Sequence, residues 1–306
     1  MEFREFYQVL GEKIKDGQFC LDEPLQKHTT WKVGGPVDIL YRPHDPEECA
    51  NVLQLAAEYQ VPVTILGAGS NVLVADQGLR GLVIVTEGFR KISWEQHQVI
   101  AGSGVLLSHL SRLAADQGLS GLEFAAGIPG SLGGAVVMNA GAYGYSMEQL
   151  IVNVKTIDLA GKRKEYYQED LAFAYRYSIF KQRQELITEV KLTFQPGNIA
   201  KIKEQMNKYL MMRREKQPLE LPNAGSVFKN SRQGAGRLIE SIGVKGWRVG
   251  DAQISEKHAN FIVNLGQAKA SEIRELIREV QIAVKEKCGI DLETEVVFLG
   301  FEDNRR

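Results

Sequence analysis

Two glycine-rich segments carry the clearest chemical signal in the sequence. The first is Gly67-Ala68-Gly69-Ser70-Asn71, which follows the apolar run over 61–66. The second begins as Gly127-Ile128-Pro129-Gly130-Ser131-Leu132-Gly133-Gly134 and continues to Asn139-Ala140-Gly141-Ala142. Small residues leave backbone N–H groups accessible to an anion, and a diphosphate is the natural ligand of such a cradle. Two cradles favour one extended ligand, such as a dinucleotide.

Neither segment fits the common nucleotide-binding motifs. GxGxxG would need glycine at the position of Val72, and the Walker pattern fails because Gly161-Lys162 is followed by Arg163. The GIPGS and NAG pattern is not a nicotinamide fingerprint either. A tight structural turn is the alternative interpretation of the first segment, and an irregular core loop is that of the second.

Regular elements must position these segments. Periodicity predicts helices over 46–60, 106–117, 199–214, 236–242 and 271–287. It predicts strands over 61–66, 82–85, 151–159, 164–167, 186–194, 260–265 and 295–299, with 151–159 and 164–167 forming a hairpin. The mixture favours an α+β fold over a regular doubly wound sheet. The break at Pro196-Gly197-Asn198 places the main boundary near residue 200.

Composition excludes several classes of protein. The chain has 306 residues, of which 44% are hydrophobic and 25% charged, as in a globular protein of about two domains. A net charge of -1 gives no bulk attraction to nucleic acid or to an anionic membrane. Charges near the N-terminus argue against a secretory signal. Cys20, Cys49 and Cys288 are read as incidental thiols, and the histidine spacing predicts no metal site.

Further motifs follow one another in an order seen in a known family. They are HTTWKVGGP over 28–36, Tyr175-Arg176-Tyr177-Ser178, NAGSVFKN over 223–230, AQIS over 252–255, HANF over 258–261 and LETEV over 292–296. With the two glycine-rich segments, this set resembles UDP-N-acetylenolpyruvoylglucosamine reductase, a flavoenzyme on the route to UDP-N-acetylmuramic acid. The resemblance spans nearly the whole chain.

The resemblance implies a particular architecture. It comprises a vanillyl-alcohol-oxidase-type (PCMH-type) FAD-binding domain of two subdomains and a C-terminal α+β substrate-binding domain. The expected limits are 1–75 and 76–200 for the subdomains and 201–295 for the substrate domain, with strand 296–306 returning to the first subdomain. Only a short polar connection over 181–185 follows the YRYS motif. The chain therefore resembles the family type that lacks a substrate-covering tyrosine loop.

The resemblance also implies the reaction. FAD would be bound non-covalently, NADPH would be the co-substrate, and a UDP-sugar would be the substrate. Reduced flavin would deliver hydride from N5 to the enolpyruvyl β-carbon. NADPH and the UDP-sugar would use one open site in turn, in a ping-pong cycle. The expected protein is cytoplasmic, is a monomer or weak oligomer, and binds neither nucleic acid nor membrane.

Three catalytic residues follow from the resemblance: Arg176, Ser226 and Glu295. Hydride addition leaves negative charge on the α-carbon and the carboxylate. An arginine can donate two parallel hydrogen bonds to the carboxylate oxygens. Ser226 would protonate the α-carbon, while Arg176 and Glu295 would stabilise the enolate. From sequence alone, the ordinary interpretations would be a surface ion pair, a turn serine and a strand-edge carboxylate. Thr294 stands where the family commonly has proline, and Glu293 is the rival of Glu295.

Other residues are expected to bind the substrate. Tyr175, Lys229 and Asn230 lie in the motifs that carry the resemblance, and Lys216 is a candidate for the diphosphate of the UDP group. The alternative for Lys216 is a solvated helix end.

Two other functions stay open at this point. An FAD-dependent oxidase of an alcohol or sugar could use the same fold, and such oxidases often attach the flavin to a histidine. His28 and His109 are the nearest candidates, and neither lies in a recognised motif. A non-enzymatic nucleotide-sensing module would make the three catalytic residues dispensable.

Overall fold

Helices and strands are mixed along the chain. The structure is a computed structural model that describes residues 3–14, 17–230 and 233–301. The helices in these ranges are α1 (Phe3–Lys13), α2 (Pro46–Glu58), α3 (Leu107–Asp116), α4 (Leu132–Val137), α5 (Ile199–Lys216), α6 (Ala235–Ser241) and α7 (Ala270–Cys288). The strands are β1 (Gln18–Pro24), β2 (Pro36–Arg42), β3 (Val63–Leu66), β4 (Val72–Val74), β5 (Leu79–Val85), β6 (Ile92–Glu95), β7 (Gln98–Gly102), β8 (Leu119–Ser120), β9 (Gly141–Ala142), β10 (Tyr145–Ser146), β11 (Ile151–Asp158), β12 (Arg163–Tyr167), β13 (Glu185–Thr193), β14 (Gln195–Pro196), β15 (Arg248–Val249), β16 (Ala252–Ile254), β17 (Ile262–Asn264) and β18 (Val297–Leu299).

The elements predicted from periodicity are present with small shifts at their ends. The five predicted helices correspond to α2, α3, α5, α6 and α7. The predicted hairpin is formed by β11 and β12, which pair antiparallel. The strand predicted over 295–299 is shorter, because β18 begins at Val297. Together these elements confirm the α+β class.

The chain forms two units, each assembled from segments that are distant in sequence. The first unit contains Met1–Asp22, Asp38–Ala68 and Gly81–Met211. The second contains Glu23–Val37, Gly69–Arg80 and Met212–Arg306. The chain therefore leaves and re-enters each unit before Met212.

A four-stranded sheet in the order β1-β2-β5-β3 belongs mainly to the first unit. Helix α2 packs into its core, and the Asp45 carboxylate caps this helix by accepting the N–H groups of Glu47 and Glu48. Strand β3 runs parallel to β5 and ends at Leu66. Gly67 therefore starts the first glycine segment at the carboxyl end of a strand.

A five-stranded antiparallel sheet forms the second part of the first unit, in the order β12-β11-β13-β7-β6. Leu107 and Leu110 from α3 and Val136 from α4 are buried in its core. This core is largely separate from that of the four-stranded sheet. The first unit therefore contains two sheets with largely separate cores.

Glu185 at the start of β13 is a buried carboxylate with three partners. Its oxygens accept hydrogen bonds from Thr156 Oγ1 at 2.7 Å, Lys164 Nζ at 2.9 Å and the Tyr166 hydroxyl at 2.9 Å. Burial acts to raise the pKa of Glu185, but the bonds from Lys164, Thr156 and Tyr166 outweigh it and hold this pKa below its ordinary value. Glu185 therefore fastens β11 and β12 to β13 while ionised.

We expect this carboxylate to contribute to the pH dependence of stability. Because its pKa is lower in the folded than in the unfolded chain, its contribution is complete above the ordinary glutamate pKa and is lost as pH falls through the folded pKa. Glu185→Gln should lower the free energy of unfolding by about 1–3 kcal/mol at neutral pH, and the difference should shrink on acidification. Urea unfolding at several pH values checks this. A difference independent of pH would contradict it.

The second unit contains the antiparallel sheet β15-β16-β17, whose core is shared with α6 and α7. Asp76 accepts the N–H groups of Ala270 and Ser271 at 2.7 and 2.9 Å, and so caps the first turn of α7. Trp31 of the HTTWKVGGP motif is wholly buried and donates from Nε1 to the Ile262 carbonyl at 2.7 Å. The motif is therefore part of this core.

Strand β18 pairs in parallel with β4, with Val297 opposite Val72. The last residue of β18 is Leu299, and its carbonyl accepts the Ala75 N–H at 2.9 Å. Residues 302–306 of the predicted returning strand lie outside the described residues. The pairing brings the segment before β18, which includes Glu295, next to the first glycine segment.

Candidate active site

The two glycine-rich segments meet within the first unit. A side-chain carbon added to Gly67 would lie 2.6 Å from the Ser131 Oγ, closer than such atoms approach. Gly67 and Ala68 belong to this unit, as does the whole second segment. Glycine at position 67 therefore allows the backbone after β3 to lie against the start of α4.

The second segment is a loop that leads into helix α4. Gly127, Ile128 and Pro129 form the loop, and the Ser131 Oγ accepts the Gly134 N–H at 3.4 Å as the helix cap. Ser131 faces Leu106 in an antiparallel bridge whose hydrogen bonds are made by the flanking residues. The Ser131 N–H therefore points away from Leu106, at a helix start where anions are favoured.

Two glycines of the second segment have conformational or packing roles. Gly130 has a φ of +123°, which favours glycine over other residues. The Gly133 N–H donates to the Ser103 carbonyl at 2.8 Å, and a side-chain carbon on Gly133 would lie 2.9 Å from the Ser103 Cβ. Gly133 thus packs α4 against the residue after β7, and its N–H is already used within the protein.

The first segment is divided between the two units. Gly69, Ser70 and Asn71 belong to the second, where Gly69 has a φ of +62° and an added side chain would overlap the His28 carbonyl oxygen. The Asn71 Nδ2 donates to the Glu295 carbonyl at 3.0 Å. Asn71, which was predicted to bind the cofactor, therefore donates a hydrogen bond to the backbone of Glu295, a predicted catalytic residue.

Arg176 lies at the tip of a tight turn in the first unit. Ala174 and Tyr177 exchange two backbone hydrogen bonds of 3.1 Å each, so Tyr175 and Arg176 are the central residues. Arg176 has a φ of +55° at a turn position that favours glycine or asparagine. Its guanidinium carbon lies 5.3 Å from the Tyr175 ring centre. A large cationic residue in such a strained conformation is typical of functional sites.

The Arg176 turn is tied to the end of α4. The Arg176 Nη1 donates to the Gly141 carbonyl at 3.2 Å, and the Asn139 Nδ2 donates to the Ala174 carbonyl at 3.1 Å. The hydroxyl of Ser178, which is wholly buried, donates to a backbone carbonyl of α4 at 2.9 Å. Asn139 and Gly141, which were predicted to contact the cofactor, therefore lie against the turn that carries Arg176.

Ser226 and Glu295 lie on neighbouring segments of the second unit. The Glu295 N–H donates to the Val227 carbonyl at 2.8 Å, and Phe228 faces Thr294 in an antiparallel bridge. Both Ser226 and Glu295 are half-buried. The structure thus places these two predicted catalytic residues on adjacent backbone segments. Their joint action with Arg176, which belongs to the first unit, stays a prediction.

Asn260 fixes the segment that carries Ser226, a role that the sequence did not reveal. Its carbonyl accepts the Val227 N–H, its Oδ1 accepts the Phe228 N–H and its Nδ2 donates to the Phe228 carbonyl, each at 2.9 Å. Asn260 is only 2% exposed. Its place in the HANF motif was the available signal, but the motif does not tell which distant backbone groups the amide satisfies.

The predicted substrate-binding residues have different surroundings. Tyr175 is 56% exposed at the tip of its turn, and Lys216 is the exposed last residue of α5. Lys229 forms an ion pair with Glu293, whose side chain is 72% exposed. The Asn230 Oδ1 accepts a backbone N–H at the start of α6 at 3.2 Å. Lys229 and Asn230 therefore have protein partners near Ser226, and Tyr175 and Lys216 are exposed residues of their elements.

The two histidines considered for flavin attachment are placed differently. The His28 Nε2 lies 3.0 Å from a Glu23 carboxylate oxygen, and His109 is exposed on α3. Within residues 3–14, 17–230 and 233–301, no three His, Cys, Asp or Glu side chains are grouped so as to hold a metal ion. In the same ranges, no helix combines the length and apolar character needed to cross a membrane.

Two family models match the chain. One is described as the C-terminal domain of UDP-N-acetylenolpyruvoylglucosamine reductase and matches residues 217–299. The other is described as an FAD binding domain and matches residues 37–166. These matches confirm the FAD-binding fold and the distinct C-terminal domain that the resemblance implied.

Relatives match over nearly their whole lengths. The UDP-N-acetylenolpyruvoylglucosamine reductase of Moorella thermoacetica is 47% identical over 284 residues, which cover 92% of this chain and 94% of that protein. That of Clostridium perfringens is 42% identical over 300 residues, covering 98% and 99%. The crystal structure of the reductase from Thermus caldophilus has a TM-score of 0.79 at 36% identity and covers 92% of this chain and 98% of its own. The chain therefore belongs to the UDP-N-acetylenolpyruvoylglucosamine reductase family.

Proposed function

We propose that this protein uses NADPH to reduce UDP-N-acetylglucosamine enolpyruvate to UDP-N-acetylmuramate through FAD, in peptidoglycan precursor synthesis. The observation that carries the proposal is the near-complete match to UDP-N-acetylenolpyruvoylglucosamine reductases, such as the one 47% identical over 92% of this chain. The match to an FAD binding domain over 37–166 supports binding of the cofactor that such a reduction needs.

The glycine-rich segments fit a bound dinucleotide. The backbone approaches closely where Gly67 meets Ser131, and the Ser131 N–H, at the start of α4, points away from Leu106. We assign the diphosphate of FAD to these segments, with the Gly133 N–H excluded because it is used internally. The chemistry that bound FAD would supply is hydride transfer, from NADPH to the flavin and from its N5 to the enolpyruvyl β-carbon.

Arg176 is the proposed electrostatic partner of the substrate carboxylate. When hydride adds to the β-carbon, the electron pair of the double bond moves to the α-carbon and into the carboxylate. A guanidinium is always charged and can donate two parallel hydrogen bonds to these oxygens. The strained turn holds this cation in place before the charge develops.

Ser226 is the proposed proton donor to the α-carbon. A serine hydroxyl is a weak acid, so it donates only to a strong base such as the enolate. Glu295 lies on the adjacent segment and would help to stabilise the enolate. The Glu293 side chain is 72% exposed, whereas Glu295 is half-buried, which supports Glu295 over this rival.

The substrate contacts and the setting of the enzyme complete the proposal. Tyr175, Lys229 and Asn230 would contact the UDP-sugar, and Lys216 would contact its diphosphate. NADPH would use the same site in turn.

We propose domain limits of 1–75, 76–200 and 201–295. The pairing of β18 with β4, which lies within 1–75, supports a return of strand 296–306 to this first subdomain. A cytoplasmic location is proposed, since NADPH is supplied in the cytoplasm. The proposed oligomeric state is a monomer or a weak oligomer.

Purification with a coupled assay tests this function. The protein should be yellow, contain FAD, and oxidise NADPH continuously only when the enolpyruvyl UDP-sugar is present. One NADPH should be consumed for each product molecule, because one hydride and one proton are added. A colourless protein that takes up no FAD would overturn the proposal.

Acid precipitation separates this function from the covalent oxidase alternative. We expect the yellow colour to stay in the supernatant, because the His28 ring is engaged by Glu23 and His109 is exposed on a helix. The measurement is flavin absorbance in supernatant and pellet, with free FAD as the control. Colour that remains in the denatured pellet would favour a covalent flavin and the oxidase.

A further inference from the structure

We propose that Asn139 is a positioning residue that holds the backbone of the Arg176 turn, and that it is not a ligand of FAD. The proposal rests on the function proposed above for Arg176. Its basis is the junction between the end of α4 and residues 174–177, which lies entirely within the first unit.

The backbone of Asn139 ends helix α4. The Asn139 N–H donates to the Val136 carbonyl at 3.1 Å, and the Ala140 N–H donates to the Ala135 carbonyl at 2.8 Å. This pair of bonds is a Schellman motif, in which the residue at the position of Asn139 takes a positive φ, here +41°. Glycine is usual at this position. An asparagine in a segment already rich in glycine indicates that its side chain is used.

The amide of Asn139 is occupied by the protein. Its Nδ2 donates to the Glu148 carboxylate at 2.9 Å and to the Ala174 carbonyl at 3.1 Å, and its Oδ1 accepts the Glu148 N–H at 3.1 Å. An asparagine amide has two N–H donors, and both are engaged here. Asn139 is also only 4% exposed. Neither donor is therefore available to a cofactor.

These bonds act on the turn whose second central residue is strained. Ala174 begins the turn, and Arg176 lies two residues later with a φ of +55°. Such a conformation persists only when its surroundings hold it. The Arg176 guanidinium bonds to Gly141, two residues beyond Asn139, so one short segment holds both the backbone and the side chain of the turn.

Asn139→Gly tests this inference, because glycine keeps the left-handed helix end and removes only the amide. We expect the reduced enzyme to transfer hydride to the enolpyruvyl UDP-sugar about 10- to 100-fold more slowly, since a displacement of about 1 Å can have such an effect. FAD affinity and flavin reduction by NADPH should be unchanged. Hydrogen exchange of the Tyr177 amide, measured by mass spectrometry, should become faster.

Two further variants make the test specific. Gln96→Gly removes an amide from another residue with positive φ in the first unit, on the exposed β6–β7 turn, and should change neither half-reaction. Asn139→Asp keeps the acceptor for the Glu148 N–H but loses the donor to Ala174, and combining it with Glu148→Gln avoids two facing carboxylates. If the glycine variant folds poorly, this double variant carries the test and should resemble Asn139→Gly.

The double variant with Arg176→Ala shows whether Asn139 acts through Arg176. We expect Asn139→Gly to slow Arg176→Ala no further, whereas independent roles would give multiplied effects. Loss of FAD in Asn139→Gly, or an unchanged substrate half-reaction, would overturn the proposal. A normal rate in Arg176→Ala alone would instead show that the proposed function of Arg176 is wrong, and the role of Asn139 would fall with it.

Discussion

Replacing Ser226 with alanine is expected to slow reduction of the enolpyruvyl substrate by about 10²–10⁴-fold, while NADPH still reduces the bound FAD. The variant removes the proposed proton donor and keeps the backbone bonds of Val227 and Phe228 to Asn260. The two half-reactions can be followed separately by the absorbance of the flavin in a stopped-flow instrument.

Ser241→Ala is the matched control for this experiment. Ser241 lies on α6 of the same unit and donates its hydroxyl to the Leu238 carbonyl at 2.8 Å. Its loss should change stability slightly and leave both half-reactions unchanged. A near-normal substrate rate in Ser226→Ala would remove Ser226 from proton transfer.

Arg176→Ala should also separate the half-reactions. We expect the substrate half-reaction to fall by about 10²–10³-fold, as is typical for loss of one preorganised donor to a developing oxyanion. FAD affinity should change much less, because Arg176 lies on the 174–177 turn, outside the two glycine-rich segments to which the FAD diphosphate is assigned. The substrate half-reaction of Arg176→Lys should have a rate between those of the unaltered enzyme and Arg176→Ala. Lysine keeps the charge but cannot donate two parallel hydrogen bonds to a carboxylate. Titration with FAD and single-turnover kinetics measure the two effects.

Arg183→Ala provides a close comparison. The Arg183 guanidinium also lies over a tyrosine ring, at 5.5 Å from the centre of Tyr166, and its Nη1 donates to that tyrosine hydroxyl at 3.0 Å. It lies in the same unit and has no assigned role in the reaction. If Arg176→Ala released FAD while Arg183→Ala did not, Arg176 would be a structural residue of the cofactor site.

The long helices and strands could be predicted because their buried apolar residues recur at the regular spacing of each kind of element. Helix α7 buries Ile273, Leu276, Ile277 and Val280, which is the spacing of one helical face. No helix is predicted over 132–137, because the glycine-rich residues 127–134 are interpreted as a backbone loop that approaches a ligand closely. In the structure, the Ser131 cap and the buried residues of α4 stabilise a short helix there, despite the low helix propensity of Gly133 and Gly134.

The motifs indicated the candidate residues but not what holds them. Position 176 is an arginine, and neither glycine nor asparagine is present there to signal a turn. The positive φ of Arg176 therefore could not be predicted. The bonds from Asn71 to Glu295 and from Asn260 to Phe228 join residues that are far apart in sequence. A motif fixes residue types at near spacing, whereas these contacts depend on how distant strands pair.

The parallel pairing of β18 with β4 has a consequence for the order in which the chain matures. Val297 pairs with Val72, so β4 leaves the ribosome long before its partner has been translated. Contacts so distant in sequence form slowly, since a long loop must first close. The backbone bond between Glu295 and Val227 must wait for the same late event. A nascent chain can therefore build the sheets of the first unit before Glu295, the proposed catalytic carboxylate, has been translated.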